Sequence, residues 1–167
     1  SIGELATRRL IDDGCSRILC LRNNSRMRMP ANKRTDAYHD VVEQAGLPAL
    51  VREVEFVKPD DEKSAVVAKI LDENPDIDGI FAGDDTMAAI CLNVMKQRGL
   101  SAPDDIKVVG ADGARRTMTF MPDLTTVRQD IDRIGELAAQ SIIALINGEK
   151  PESNIKLPVE LIEGKTA

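Results

Sequence analysis

The sequence is poor in the residue types from which many catalytic and metal sites are built. It has one histidine, His39, and it lacks paired C-x-x-C motifs and the glycine-rich loops that hold nucleotide phosphates. A histidine metal cluster or a serine and histidine relay within this chain is therefore not expected. We predict no catalytic residue, no bound metal and no cofactor, and we interpret His39 as a surface residue.

Long apolar runs and a cysteine framework are also missing. No run approaches the roughly twenty apolar residues that a membrane-spanning helix needs, and no signal-peptide pattern follows Ser1. Cys15, Cys20 and Cys91 are odd in number and lie in or beside apolar stretches, so we interpret them as reduced core thiols. These features predict a cytoplasmic protein that does not contact a membrane, and a chain that begins inside a fold.

An excess of basic residues, which nucleic-acid binding requires, is absent as well. The chain has 22 basic and 28 acidic side chains, and the resulting net charge of -6 opposes tight binding to a phosphate backbone. If the protein binds DNA, another segment must make the contact. What is present is an ordinary globular composition, 43% hydrophobic and 30% charged over 167 residues, which is enough for one sizeable core.

Strand-like and helix-like segments alternate along most of the chain. The predicted strands are residues 17–21, 51–56, 79–82, 107–111, 125–128 and 155–162. The predicted helices are residues 2–11, 31–45, 61–74, 85–98 and 131–146. Strands that alternate with helices of this length imply right-handed crossovers and a parallel sheet flanked by helices on both faces. The sequence therefore predicts the α/β class.

The last predicted helix, residues 131–146, is apolar around more of its circumference than one face of a sheet covers. We expect this helix to be poorly covered within the chain and to need a second partner. An uncovered apolar face also predicts self-association, or exchange of elements between copies.

Charged residues stand where the predicted strands end. Asp84 and Asp112 each follow a buried strand, and Arg34 lies in the first turn of a helix that follows another. Because parallel strands end at one rim, we expect the two carboxylates to lie close together, opposite Arg34. Such a rim suits a polyhydroxylated molecule, because charged groups form strong hydrogen bonds with hydroxyls. We interpret Asp85 as the N-cap of the next helix.

A basic segment precedes the same helix. Residues 17–34 contain six basic side chains and no acidic one, and such a loop can present guanidinium groups to hydroxyls, carboxylates or phosphates. The alternative is a solvated basic loop without a ligand, which applies above all to Arg22 and Arg26. The basic loop slightly favours a ligand with an anionic group.

Six motifs occur in a fixed order along the chain. They are residues 3–14, 34–38, 81–88, 99–106, 108–112 and 122–129. Together they closely resemble the effector-binding domain of the lactose repressor family of bacterial transcription factors. This resemblance implies a periplasmic-binding-protein-like fold of type I, with two α/β lobes joined by crossing segments.

The resemblance also implies how this chain is divided. Residues 1–123 and 150–167 correspond to the C-terminal effector-binding lobe, and residues 124–149 correspond to a crossing segment and a helix of the N-terminal lobe. The helix-turn-helix domain of the family and most of its N-terminal lobe are expected to be absent from this chain.

Five residues are implied as effector contacts by their positions in the motifs. Arg34 matches the arginine that grips effector hydroxyls or carboxylates, and Asp112 matches the aspartate that accepts from sugar hydroxyls. Arg28 falls on a second contact seen in some members, and Asp84 stands where many members have asparagine. Gln129 matches a polar residue that reaches into the cleft from the crossing segment.

The implied function is that of an allosteric ligand sensor. A sugar or sugar phosphate would bind between the lobes and change the affinity of a homodimer for operator DNA, which a headpiece outside this chain would contact. One alternative is a periplasmic or lipid-anchored sugar-binding protein that serves a transporter. Another is a magnesium-dependent phosphotransfer or receiver-type enzyme built around Asp84, Asp85 and Asp112.

Overall fold

The computed structural model describes residues 1–24, 31–55 and 57–167. Its strands are β1 (Ile18–Asn24), β2 (Leu50–Glu55), β3 (Gly79–Ala82), β4 (Lys107–Asp112), β5 (Thr125–Gln129) and β6 (Val159–Ile162). Its helices are α1 (Ile2–Asp12), α2 (Ala31–Gln44), α3 (Asp60–Glu73), α4 (Asp85–Gln97), α5 (Arg115–Phe120) and α6 (Ile131–Ile146).

The described strands form one sheet in the order β2-β1-β3-β4-β5-β6. Neighbouring strands from β2 to β5 pair in parallel, and only β6 pairs antiparallel, with β5. Helices α1 and α2 pack on one face of the sheet, and α3 and α4 pack on the other. The predicted α/β class with a mostly parallel, helix-flanked sheet is confirmed.

Two predictions for the last third of the chain need correction. The final strand was expected over residues 155–162, but β6 begins only at Val159, which pairs with Gln129 at the end of β5. Beyond this pair β5 offers no partner, and Pro158 has no amide hydrogen to donate to a strand. Residues 112–124, for which neither a strand nor a helix was predicted, contain α5, a short helix without a buried residue and hence without an apolar periodicity to predict it.

The core lies on both sides of the sheet. Strand residues alternate between a cluster under α1 and α2, which includes Cys20 and Phe81, and a cluster under α3 and α4, which includes Leu19 and Cys91. All three cysteines are buried and free, which confirms that they are core thiols. Burial raises the pKa of the Cys20 and Cys91 thiols to about 12, so both remain protonated near neutral pH.

Helices α1 and α2 approach each other closely, and the approach places the start of α2. A Cβ atom on Gly3 would lie 2.0 Å from the backbone oxygen of Arg34, so only glycine fits at this crossing. Farther along α2, the buried Tyr38 hydroxyl donates to the Ile18 carbonyl at 2.7 Å and accepts from the Leu50 amide at 2.8 Å. These contacts fix α2 to the sheet near β1 and β2.

The surface residues of the helices agree with two further expectations. His39 is exposed, as predicted. Helix α6 has no buried residue, and its isoleucines remain exposed up to 78% at Ile146, which confirms that the chain itself covers this helix poorly. Across the described parts of the chain, none of the helices has both the length and the apolar character of a membrane span.

Candidate functional site

Polar side chains from four parallel elements meet at the carboxyl-terminal rim of the sheet. Asn23 lies near the end of β1, Asp84 lies two residues beyond the end of β3, Asp112 ends β4 and Gln129 ends β5. Arg34, in the first turns of α2, extends over the same rim. The predicted rim is therefore built from the strand ends that a parallel sheet brings together.

Arg34 is fixed across the ends of β3 and β4. Its Nη2 donates to Oδ1 of Asp112 at 2.6 Å, and its Nη1 donates to the backbone carbonyl of Gly83. The arginine side chain is only 16% exposed, whereas that of Asp112 is 31% exposed. A half-buried, charge-assisted pair of this kind has a defined geometry.

Asp112 connects Arg34 to the next strand. Its Oδ1 also accepts a hydrogen bond from Nε2 of Gln129 at 2.7 Å. Among the described residues no side chain or amide donates to Oδ2 of Asp112, so this oxygen is available to accept from a bound hydroxyl. Three of the five residues predicted as effector contacts thus form one hydrogen-bonded row.

The backbone at Asp112 is strained. Its φ of 103° lies in the left-handed region, which costs a residue with a side chain about 1–3 kcal/mol. The next residue, Gly113, also has a positive φ of 57°, and a Cβ there would lie 2.6 Å from Cβ of Arg128. A turn of this shape directs the Asp112 side chain over the rim and must be held by its surroundings.

Asp84 has the capping role that was predicted for Asp85. The N-cap of α4 is Asp84, whose Oδ1 accepts from the Met87 amide at 2.8 Å, and the N-cap assignment of Asp85 is wrong. The adjacent carboxylates follow one another directly, so the sequence pattern fits either position. Asp85 instead begins the first turn, where its side chain points into the protein and is 3% exposed.

The buried Asp85 carboxylate joins three elements. Its Oδ2 accepts from the Gly113 amide at 2.9 Å, and its Oδ1 accepts from the Thr126 hydroxyl of β5 at 2.6 Å. Burial raises the pKa of Asp85 from 3.8 to about 6, and the nearby charge of Asp112 adds to the increase. The hydrogen bonds from Thr126 and Gly113 oppose it by stabilising the ionised form.

Sequence reasoning missed two residues at this rim. Asp85 was interpreted as a helix cap, or as a carboxylate of the alternative magnesium site, but not as a buried support of the rim, and Asn23 was not singled out. The Asn23 amide donates to Oδ2 of Asp84, while its own Oδ1 is buried without a partner in the described ranges. The position of Asn23 near the end of a predicted strand was the available signal for it.

The remaining candidates come from the basic segment of residues 17–34. Arg28 and Arg26 lie outside the described residues. Arg22 forms an ion pair with Glu53 on the neighbouring strand β2. Within residues 1–24, 31–55 and 57–167, no three histidine, cysteine or carboxylate side chains converge as metal ligands, so the arrangement gives no support to a magnesium site.

Known proteins with similar sequences are regulators. A family model described as the periplasmic binding protein-like domain matches residues 7–167. The ribose operon repressor of Halalkalibacterium halodurans is 32% identical over 165 residues, which are 98% of this chain and 49% of that protein. The sucrose operon repressor of Pediococcus pentosaceus is 32% identical over 167 residues, 99% of this chain and 51% of that protein. This chain spans about half the length of the curated relatives it matches.

Similar solved structures agree with these matches. A LacI-family transcriptional regulatory protein from Corynebacterium glutamicum has a TM-score of 0.86 at 26% identity, over 98% of this chain and 62% of that one. The complex of the transcriptional regulator CelR with cellobiose has a TM-score of 0.85 at 27% identity, over 99% of this chain and 51% of that one. The family resemblance predicted from six sequence motifs is confirmed.

Proposed function

Since the chain belongs to the periplasmic binding protein-like domain family, we propose that it is the effector-sensing part of a sugar-responsive transcriptional repressor. The observation that supports this most is the row formed by Arg34, Asp112 and Gln129 at the rim of the sheet. This row offers a guanidinium, a free carboxylate oxygen and an amide to one small molecule. The proposal assigns the site a binding role and no reaction.

Counted over the described residues, which leave out Arg26 and Arg28, the charges of the rim favour a neutral, hydroxyl-rich effector over a sugar phosphate. The guanidinium of Arg34 already pairs with Asp112, and the carboxylate of Asp84 stands at the same rim. A phosphate group would therefore meet two carboxylates and only one compensated cation among the described residues. Neutral hydroxyls can donate to Asp112 and accept from Arg34 without this repulsion.

We propose that residues 1–123 and 150–167 form the C-terminal effector-binding lobe. Residues 124–149 are then a crossing segment and a helix that belong to a second lobe, the N-terminal one. The support is the exposed apolar side of α6 and the groove that it forms with residues 152–159. Relatives of about twice this length have room for that lobe and for a DNA-binding headpiece. The second lobe would cover α6 and complete the effector cleft.

The proposed mechanism is allosteric. An effector that contacts both lobes favours their closed arrangement, and hinge bending at the crossing segment, which contains β5, changes the geometry of a cytoplasmic homodimer on its operator DNA. The effector shifts operator binding only as far as its affinities for the two arrangements differ. Such coupling is typically about 1–3 kcal/mol.

Calorimetric titration of the full-length protein tests the site. The ligands are ribose, sucrose, cellobiose and lactose, each beside a phosphorylated counterpart. Arg34→Ala and Asp112→Ala should each abolish binding of the sugar that the unaltered protein binds, and the neutral sugar should bind more tightly than its phosphate. Unchanged affinity in both variants would refute the site assignment.

Arg98→Ala is a matched control for Arg34→Ala. The Arg98 guanidinium also bonds one backbone carbonyl, that of Ala68, and one carboxylate, that of Asp72, each at 2.8 Å. It lies at the end of α4 opposite the rim. Loss of sugar binding in Arg98→Ala would indicate a general loss of structure instead of a lost contact.

The main alternative has less support. A sugar-binding protein of a transporter would share the fold and a similar rim, but the matched relatives named above are operon repressors and transcriptional regulators. A gel-shift titration with the protein's own promoter region separates the two functions. The repressor binds this DNA in a sugar-dependent way, and a transport protein does not bind it.

A further inference from the structure

Asp112 can serve an effector only if its carboxylate stays where the strained backbone directs it. The residue has a φ of 103° and is followed by a second positive φ at Gly113. Backbone of this kind persists when surrounding contacts over-determine it. The contacts of the Asp112 side chain with Arg34 and Gln129 hold the carboxylate, but they do not hold the peptide that follows.

The peptide after Asp112 is held by Asp85. The Gly113 amide donates to Oδ2 of Asp85 at 2.9 Å, inside the protein. The other oxygen of Asp85 is fixed by the Thr126 hydroxyl at 2.6 Å. Because Thr126 lies on β5, three residues before Gln129, the same carboxylate ties together the end of β4 and the strand that brings the amide to the rim.

The space around Asp85 is shaped to admit this carboxylate. A Cβ on Gly110 would lie 2.6 Å from Oδ1 of Asp85, so any larger residue there would displace the carboxylate. The N-cap of α4 is already supplied by Asp84, so Asp85 is not needed for the start of the helix. Burying a carboxylate costs free energy that an apolar side chain of similar size would not cost. Neither helix capping nor space filling explains why a carboxylate occupies this buried position.

We infer that Asp85 is a positioning residue for effector binding. Its carboxylate, held by Thr126, fixes the Gly113 amide and thereby keeps the Asp112 carboxylate in its binding orientation. The inference rests on the proposed function, because it concerns the same rim. It assigns affinity for the effector to a side chain that is only 3% exposed and that no effector touches. Its chemistry is that of two accepted hydrogen bonds, and it does not require the negative charge.

Three substitutions in the full-length protein test the inference. Asp85→Ala removes both acceptors and should weaken binding of the sugar bound by the unaltered protein at least about tenfold, as expected for one misplaced charge-assisted hydrogen bond. Asp85→Asn keeps an acceptor toward Gly113 and can donate to the Thr126 oxygen, so its affinity should stay within about threefold. Thr126→Val keeps the shape of the threonine, removes the hydroxyl and should weaken binding at least about threefold.

Asp78→Ala is the matched control. Like Asp85, the Asp78 carboxylate accepts from backbone amide and hydroxyl donors, here the Ser16 amide at 2.7 Å, the Arg17 amide at 2.8 Å and the Ser16 hydroxyl at 3.0 Å, but at the opposite rim of the sheet. It should leave the sugar affinity unchanged. Amide hydrogen exchange of the sugar-free protein tests the inference independently of sugar binding. The Gly113 amide should exchange faster in Asp85→Ala than in the unaltered protein, and at the unaltered rate in Asp85→Asn.

Each outcome decides the question. Wild-type affinity in Asp85→Ala overturns the inference, as does an Asp85→Asn protein that binds as weakly as the alanine variant. If Asp85→Ala does not fold, a folded Thr126→Val protein with wild-type affinity overturns it. If the unaltered protein binds none of the sugars, the proposed function fails and the inference falls with it. If the unaltered protein binds and Asp112→Ala does not, while Asp85→Ala binds normally, only the inference fails.

Discussion

Replacing Asp85 by asparagine should make the free energy of unfolding less dependent on pH. Burial raises the pKa of this carboxyl from 3.8 to about 6 in the folded protein. The folded state therefore holds the proton at pH values where the unfolded chain has lost it. The resulting contribution to stability is complete below pH 3.8 and is lost as the pH rises through about 6.

The size of the effect follows from the two pKa values. They differ by about 2, which corresponds to about 3 kcal/mol once Asp85 is ionised in both states. Part of this loss has already occurred at pH 5, so about 1–2 kcal/mol remains to be lost between pH 5 and pH 8. Asparagine does not ionise, and the other titrating groups are common to both proteins. The stability of Asp85→Asn relative to the unaltered protein should therefore increase by about 1–2 kcal/mol over this range.

Urea unfolding of both proteins at constant ionic strength, followed by circular dichroism at steps from pH 5 to pH 8, measures this difference. The difference between the two free energies is the informative quantity, because surface ion pairs such as that of Glu4 contribute equally to both. A difference that stays constant with pH would refute the reasoning, since it would mean that Asp85 ionises alike in the folded and unfolded states. A difference that decreases with pH would reverse the sign of the argument.

Three further substitutions have defined expectations. Gly3→Ala should lower the free energy of unfolding by about 1–3 kcal/mol and weaken sugar binding, because its Cβ would push the backbone at Arg34 away; an unchanged urea midpoint would contradict the close crossing. Tyr38→Phe should cost about 1–3 kcal/mol in urea unfolding by leaving buried backbone groups of β1 and β2 without their partner, and no loss would contradict that role. Thr126→Val should move the pH dependence assigned to Asp85 above pH 6, because its hydroxyl lowers that pKa; an unmoved midpoint would show that the bond does not act on the carboxyl.

Local patterns were sufficient to predict most of the fold. Buried strands such as β3 and β4 appear in the sequence as short apolar runs, and helices such as α4 carry an apolar periodicity and end before a glycine. Helix α5 has no buried side, so no periodicity could predict it. The length of β6 depends on where its partner β5 ends, which is a property of the pairing and not of the residues 155–158 themselves.

The site was predictable as far as strand ends identify it. That Arg34 and Asp112 share one rim followed from one helix start and one strand end, but their direct hydrogen bond was not predicted, because Arg34 was expected opposite the carboxylates. Which of two adjacent aspartates caps a helix depends on a single backbone torsion, and the sequence Asp84-Asp85 does not specify it. The role of Asp85 also depends on Thr126, 41 residues farther along the chain, and no local pattern connects two such positions.

The rim residues hold one another by hydrogen bonds within the chain, and under the proposed function this bears on how effector binding can be coupled to movement of a second lobe. A guanidinium carries about five N–H donors, and Arg34 commits only some of them to Gly83 and Asp112. No donor among the described residues bonds Oδ2 of Asp112, so an effector adds hydrogen bonds without first breaking the existing pair. Side chains that are already ordered lose little conformational entropy on binding. More of the binding free energy is then available to favour the closed arrangement of the lobes. The size of this preference for the closed arrangement depends on contacts that the effector makes with the lobe covering α6 in one arrangement and not in the other.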